Sequence, residues 1–282
     1  MLSYLFLLLT LTLTNPRDNA EMVIIPAGIV ELGLPDSQIE RSLDIFRFSL
    51  GSEPKTAWLS REKGVKQERT KRFGIYVYEV TNKMFETFVR ETSYKTKAEK
   101  EGYGYVLGAT SMRRLYGANW MKPNGPSSSI LDKMNHPVVQ VCLDDVEMYA
   151  KWAKARLPNE AEWIRAASGG TFKLYPWGSF WNDGKANAGR YPVTPYIDTS
   201  DGFATTSPVG NYKNGVSIFG CYDMSGNVWE WTNSTENREE QYIIKGGAWF
   251  SNAFCLRIPC KAFVDKDFRC DGLGFRLVVD LE

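Results

Sequence analysis

The sequence predicts an α+β domain in which two amphipathic helices lie on an irregular antiparallel sheet, with much of the chain in loops. Two observations carry this. Helical periodicity stops at Gly169-Gly170, and beyond it short strand-like runs alternate with Gly, Pro and Asn. The 282 residues also hold 9 Trp, 14 Tyr, 15 Phe and 24 Gly, a mixture suited to tight turns around bulky rings.

The elements follow in order. Leu2 to Leu13 is an uncharged apolar run, too short to span a bilayer, that ends before Asn15-Pro16-Arg17. It reads as the core of a secretory signal peptide over residues 1–20, although no Lys or Arg precedes it and no small-x-small cleavage site follows. A buried first strand is the alternative. Met22 to Gly33 reads as a hairpin around Pro26-Ala27-Gly28, residues 36–70 as a long surface loop, and Phe73 to Val80 as a strand. Met84, Phe85, Phe88 and Val89 share a helical face behind a cap at Thr81 or Asn82. Residues 96–135 read as ordered loop. Val146, Tyr149, Ala150 and Ala153 mark the next helix, with Asp144 and Glu147 as its capping pair. Asn159 with Glu162 opens the last one. With no repeat and no linker, residues 21–282 form a single domain.

Lys and Arg (34) balance Asp and Glu (33), so no basic footprint for nucleic acid exists. The single histidine, His136, excludes two-His and three-His metal sites. Preceding Pro137, it reads as a loop-packing residue.

Ordered motifs along the chain then carry a family resemblance. They are Glu79-Val80-Thr81-Asn82, Gly117-Ala118-Asn119-Trp120, Asn124-Gly125-Pro126, His136-Pro137-Val138 and Arg156-Leu157-Pro158-Asn159-Glu160-Ala161-Glu162-Trp163. Pro176-Trp177-Gly178, Gly226-Asn227-Val228-Trp229-Glu230-Trp231, Gly246-Gly247-Ala248-Trp249 and Gly274-Phe275-Arg276 complete them. The chain resembles the formylglycine-generating enzyme (sulfatase-modifying factor) family over roughly residues 22–280. The resemblance implies the C-type lectin-like fold, a scaffold that hosts oxygenases, inactive paralogues and binding proteins.

The enzymes of that family oxidise a substrate cysteine with copper held by two cysteine thiolates, a soft donor set. The first thiolate falls four residues after the Gly-Gly pair and the second five residues later. Here Ser251 stands at the first place and Cys255 one residue short of the second. The resemblance therefore implies no copper site, and Cys255 is the one thiol left for catalysis if the chain is an enzyme. The family disulfide ending after Gly-Phe-Arg is absent too, with Leu277 there and Ala167 at its partner position. The sulfoxide-synthase branch needs several histidines and is excluded.

The last segment, 249–276, also resembles that of retroelement-diversified variable proteins, including the treponemal variable protein. In that pattern mutated Asn codons admit any residue encoded by NNC, which excludes Lys, Glu, Gln, Met and Trp. The corresponding positions are Phe250, Ser251, Asn252, Phe254, Cys255, Cys260, Ala262, Phe263, Val264, Asp265, Phe268, Cys270, Asp271 and Gly272, and none is an excluded type. The implied role is a non-catalytic, exported display protein that binds a macromolecular or cell-surface ligand, with these residues exposed as its contact surface. The alternatives are a formylglycine-generating oxidase acting on a sulfatase cysteine, or an inactive paralogue of one.

The family also implies calcium, a hard cation for oxygen-rich loops. One ligand set would be Asn187, Ala188, Asp201 and Phe203, the second Asp223, Gly226, Val228 and Glu230, with backbone carbonyls from Ala188, Phe203, Gly226 and Val228. Five cysteines leave at least one unpaired in an oxidising compartment. Cys142 and Cys221 read as small buried residues, and spacing leaves the pairing of Cys255 with Cys260 open.

Overall fold

The computed structural model describes residues 11–51, 59–109, 111–189, 198–236 and 241–281. Its strands and helices run β1 (Thr12–Thr14), β2 (Glu21–Ile25), β3 (Gly28–Leu32), α1 (Ile39–Leu50), β4 (Lys66–Thr70), β5 (Phe73–Tyr76), α2 (Asn82–Thr92), α3 (Lys97–Glu101), β6 (Tyr103–Leu107), β7 (Met112–Tyr116), α4 (Leu143–Ala153) and α5 (Glu160–Ser168). Then follow β8 (Trp229–Glu236), β9 (Gln241–Lys245), β10 (Ala262–Val264), β11 (Leu273–Gly274) and β12 (Val278–Asp280). The strands form two four-stranded sheets, ordered β1-β2-β5-β12 and β10-β9-β8-β11, and two separate ribbons, β3-β4 and β6-β7. All pairings are antiparallel except β11 with β8. The α+β class and the sparse helix content are as the sequence predicts.

The helices form where their caps say they should. Thr81 Oγ1 accepts from Met84 N, Asn159 and Glu162 close a reciprocal capping box, and α5 ends on left-handed Gly169. At α4 the capping carboxylate is Asp145, which accepts from Cys142 N at 3.0 Å, so the cap lies two residues ahead of the expected Asp144–Glu147 pair. The rings of α2 and α4 make the main core: Phe85 stacks on Tyr149 at 5.7 Å, and Phe275 meets Tyr149 edge-on at 5.3 Å.

Several expectations need correction. Met22 to Gly33 is no hairpin: β2 pairs with β1 and β5, whereas β3 pairs with β4. Pro26 marks the corner between the two sheets. Arg165 holds that corner by donating to the carbonyls of Pro26 and Ile29, and a Cβ on Gly28 would lie 2.3 Å from its guanidinium. The surface loop expected over 36–70 contains α1 and β4, because Leu43 and Phe46 of α1 face the core. The loop expected over 96–135 contains α3 and the β6-β7 ribbon.

The N-terminal run divides. Residues 1–10 lie outside the described residues, so the apolar core of the expected signal peptide falls largely there. Residues 12–20 belong to the fold. β1 pairs with β2, Asn15 Nδ2 donates to Tyr76 Oη and the Ala153 carbonyl, and Asp18 accepts from Tyr76 and Tyr149 at 2.9 and 2.7 Å. The domain thus begins ahead of residue 21. No helix among the described residues is long and apolar enough to cross a membrane.

Candidate functional site

The C-terminal segment leaves β9 at Lys245 and turns through Gly246 and Gly247, both with positive φ. A Cβ at Gly247 would meet Leu256 at 2.4 Å, so the close approach of the returning loop requires glycine there. Trp249 anchors the turn by donating from Nε1 to the Asp271 carbonyl at 3.0 Å. Ser251 closes it: its N–H donates to the Ala248 carbonyl, and its Oγ accepts from Ala248 N at 3.0 Å. At the place where the family's first copper thiolate would stand, this chain holds a buried hydroxyl engaged in a turn.

The next residues fold back tightly. Asn252 Oδ1 accepts from the N–H groups of Phe254 and Cys255, and Arg257 Nε donates to the Phe254 carbonyl. Cys260 N donates to the Arg257 carbonyl at 2.9 Å. These turns bring the Cys255 and Cys260 thiols near enough for each to shift the other. Cys260 first, and the nearby Arg257 guanidinium after it, lower the pKa of Cys255 despite burial. Cys260 is raised by Cys255 and by its own burial. Cys142 and Cys221 are pushed up to about 12 and about 11 by burial, and burial raises Cys270 as well. They are the small buried residues that the sequence suggests.

The structure divides the expected display positions. Phe250, Ser251, Asn252, Phe254, Cys260, Cys270, Asp271 and Gly272 are buried. This corrects their expected exposure, and the reason is packing. Phe254, 6% exposed, meets Phe46 of α1 edge-on at 5.0 Å and lies under the Arg257 guanidinium. Phe250 abuts Trp249 at 5.1 Å and lies where a Cβ on Gly272 would point, 2.3 Å away. Cys255, Ala262, Phe263, Val264 and Phe268 are half-buried, and Asp265 is exposed. Phe268 stacks on Tyr105 at 5.6 Å, and Phe263 lies beneath Arg61. Beside Phe263 runs a 550 Å³ groove lined by Ser60, Arg61, Glu62, Gln241 and Lys261.

A second polar centre lies in the core. Glu230, fully buried, accepts two hydrogen bonds from Arg276 at 2.7 Å and one from Trp163 Nε1 at 2.8 Å. Arg276 also donates to the carbonyls of Tyr76, Val77 and Tyr222, stapling β5 to β8 and the 222 loop. Beside them lies Glu79, buried and raised well above the usual carboxylate range by desolvation and by the charge of Asp223. Asp223, pushed up to about 6 by burial, accepts from Gly210 N. Sequence reasoning treated Glu79 only as part of a family motif. The apolar run around it gave no signal that its carboxyl would be buried within range of the Asp223 charge.

The two expected calcium ligand sets differ in fit. Asn187 Oδ1 is buried without a hydrogen-bond partner, while its Nδ2 donates to the Thr205 carbonyl and Asn227 Oδ1. Asp201 lies next to it, accepting from Ala188 N and Phe203 N and raised by burial. An orphaned oxygen beside a carboxylate fits a hard cation. In the second set, both oxygens of Glu230 are already satisfied by Arg276 and Trp163, so the guanidinium supplies the positive charge. Asp223, Gly226, Val228 and Glu230 do not fit a cation in this arrangement. No cluster of three or more His, Cys, Asp or Glu side chains suited to a metal occurs among the described residues.

His136 is buried, its Nδ1 3.0 Å from Thr206 Oγ1, and desolvation lowers it to about 4. It packs a loop and stays neutral at physiological pH.

Comparison with known proteins agrees with this geometry. The Sulfatase-modifying factor enzyme 1-like domain matches residues 10–281. The formylglycine-generating enzyme of Mus musculus is 33% identical, over 95% of this chain and 77% of its own length. The inactive C-alpha-formylglycine-generating enzyme 2 of Bos taurus is also 33% identical, over 82% of this chain and 84% of its own. Among solved structures, PvdO from Pseudomonas aeruginosa superposes with a TM-score of 0.70 at 24% identity, covering 96% of this chain and 98% of its own. Treponema denticola variable protein 1 does so at 0.58 and 17%, with the same coverage. At those identities the two structures speak for the fold alone. Sequence motifs, fold and relatives coincide, and the chain belongs to the sulfatase-modifying factor enzyme 1-like family.

Proposed function

We propose that this chain is an exported, non-catalytic binding member of its family, and that it engages a macromolecular or cell-surface ligand through β10 and its flanks. One observation carries the reading. Among the described residues β10 is an edge strand of its sheet, and it presents Phe263 and Val264 half-exposed beside a groove of 550 Å³. The buried Ser251 turn, in place of a copper thiolate, supports the non-catalytic part. Calcium at Asn187, Ala188, Asp201 and Phe203 would stiffen the loop that packs against this segment, where Gly189 N donates to the Ser251 carbonyl.

Retroelement diversification is tested by sequencing the 3′ end of the gene from many cells of one culture. The core packing restricts what can vary. The reading expects NNC codons and variation at Ala262, Phe263, Val264, Asp265 and Phe268, with Phe254, Cys270 and Gly272 held constant. Mixed, invariant codons throughout would end the diversification part. A calorimetric titration with calcium, compared with Asn187→Ala, tests the cation.

The nearness of the Cys255 and Cys260 thiols, each of which shifts the other, favours a second reading. Two adjacent sulfurs are the soft donor set that a copper-dependent oxidase of substrate cysteines needs, displaced along the loop from its family position. Copper-dependent, oxygen-dependent oxidation of a Cys-containing peptide, lost in Cys255→Ser, would establish it. No turnover with both supplied would remove it.

A further inference from the structure

The run Leu2 to Leu13 carries no charge, and a leader peptidase would cut a few residues beyond it, among residues 14–20. The fold already occupies that stretch. β1 pairs with β2 in the register Thr12↔Val23, Leu13↔Met22 and Thr14↔Glu21, and Ile24 N donates to the Leu11 carbonyl at 3.0 Å. Asn15, 3% exposed, donates to Tyr76 Oη and to the Ala153 carbonyl at the end of α4. Asp18 accepts from the hydroxyls of Tyr76 and Tyr149 on one oxygen and from Ala20 N on the other. Both tyrosines are buried in the main core. A cut after Asp18 would leave their hydroxyls without these partners in the interior, and a cut after Thr14 would still remove β1.

We infer that Leu2 to Leu13 is retained on the folded protein, and that its outer part, Leu2 to Leu9, holds the domain to a lipid bilayer by entering one leaflet. This rests on neither functional reading above, because it needs neither copper nor a ligand at β10. The two surfaces are also separate, since β1 and β10 belong to different sheets.

Composition, length and placement select lipid as the occupant. Leu2-Ser3-Tyr4-Leu5-Phe6-Leu7-Leu8-Leu9 combines leucines with two aromatic rings and has no charge, which favours hydrocarbon for the chain and the headgroup boundary for the rings. The whole run falls short of the roughly 20 apolar residues that a spanning helix requires, so it serves one leaflet only. The fold continues the apolar character outward: Leu11 and Leu13 are 60% and 38% exposed on β1, an edge strand among the described residues. Because β1 begins at Thr12, no spacer separates the run from the sheet. Whatever takes up Leu2 to Leu9 therefore lies against this edge and covers Leu11 and Leu13 as well.

The test expresses the full chain with a C-terminal affinity tag in cells whose export pathway is intact, so that a leader peptidase has access. Detergent-extracted protein is then read by intact mass and N-terminal peptide mapping. The expected product keeps Leu2 to Ala20, and a product whose first residue lies beyond Leu9 would overturn the proposal. Purified protein, freed of detergent, is next floated through a density gradient with phosphatidylcholine vesicles, which carry no net charge. It should rise with them at low and high salt alike, because apolar insertion is not screened. Protein that keeps the run yet stays at the bottom of the gradient, as a monomer or as a self-associated species, would remove lipid as the occupant. Flotation lost in high salt would assign the binding to charge and do the same. The double substitution Leu7→Glu, Leu9→Glu precedes β1 and the Asn15 and Asp18 contacts. It should leave the melting temperature unchanged and lower the floated fraction at least about tenfold. An unchanged floated fraction would refute the assignment, and should this variant fail to accumulate, flotation of the wild-type chain decides.

Discussion

The two halves of the segment after Trp249 have similar composition and opposite fates. Phe250 to Cys260 turns inward: Phe254 packs on α1, Ser251 closes a turn, and Arg257 pairs with Glu62 in the interior. Lys261 to Phe268 forms an edge strand over 262–264 and a turn beyond it, with its side chains half-buried or exposed. Phenylalanine occurs in both, so residue type alone does not distinguish a packing ring from a contact ring. What decides is whether another element covers the position, and here α1 covers the first half. The sharpest way to break the distinction is Phe254→Ala. It should cost about 3–5 kcal/mol, the range for deleting a buried aromatic ring, and lower the melting temperature strongly. An unchanged melting temperature would place Phe254 on the surface.

A smaller effect is expected where the buried half leaves no room. A methyl group at Gly272 must displace the Phe250 ring, with Ala248 3.1 Å away on another side. Gly272→Ala should therefore cost about 1–3 kcal/mol through overpacking, read in urea unfolding. Asp271 sharpens the comparison through pH. Buried with Leu107 N and Asn124 Nδ2 as donors, it is pushed by desolvation up to about 7, well above the usual carboxylate range. Since the folded state binds the proton more tightly than the unfolded chain, stability from this group is present below the unfolded value and is lost as pH rises toward 7. Asp271→Asn keeps an acceptor for Leu107 N and should flatten the fall in melting temperature between about pH 4 and about pH 7. A fall as steep as in the wild type would show that Asp271 does not titrate there.

How much of this was legible depends on whether a feature is local. Helices α2, α4 and α5 were readable because periodicity and caps lie within a dozen residues. Helix α1 carried the same signal in Ile39, Leu43 and Phe46, spaced by four and three, but polar flanks hid it. The partners of β2 and β3 were not legible. A turn-like Pro26-Ala27-Gly28 suits a hairpin, and only the distant strands β1, β4 and β5 show that it is a corner between sheets. At the site, Ser251 in place of a thiolate was visible directly. The nearness of Cys255 to Cys260 was not, because it comes with the turns that Asn252 Oδ1 and the Arg257 carbonyl hold between them. Nor was the satisfaction of Glu230 by Arg276, 46 residues away in sequence.

The smallest expected effect on stability tests the outer half. Phe263 is half-buried, and what it touches on its open side is the guanidinium of Arg61, itself on the surface. An exposed cation–ring contact contributes about 0.5–1 kcal/mol, and truncating the ring opens no cavity in the core. Phe263→Ala should therefore lower the melting temperature by only a few degrees at most, roughly the shift that such an energy produces in a domain of this size. The same substitution should reduce binding of the fluorescently labelled protein to intact cells if β10 is the contact strip. Binding lost together with a large drop in melting temperature would assign Phe263 to the core. Binding retained at full strength with stability intact would move the ligand away from β10, and the outer half of the segment would then be a solvated edge strand with no role in recognition.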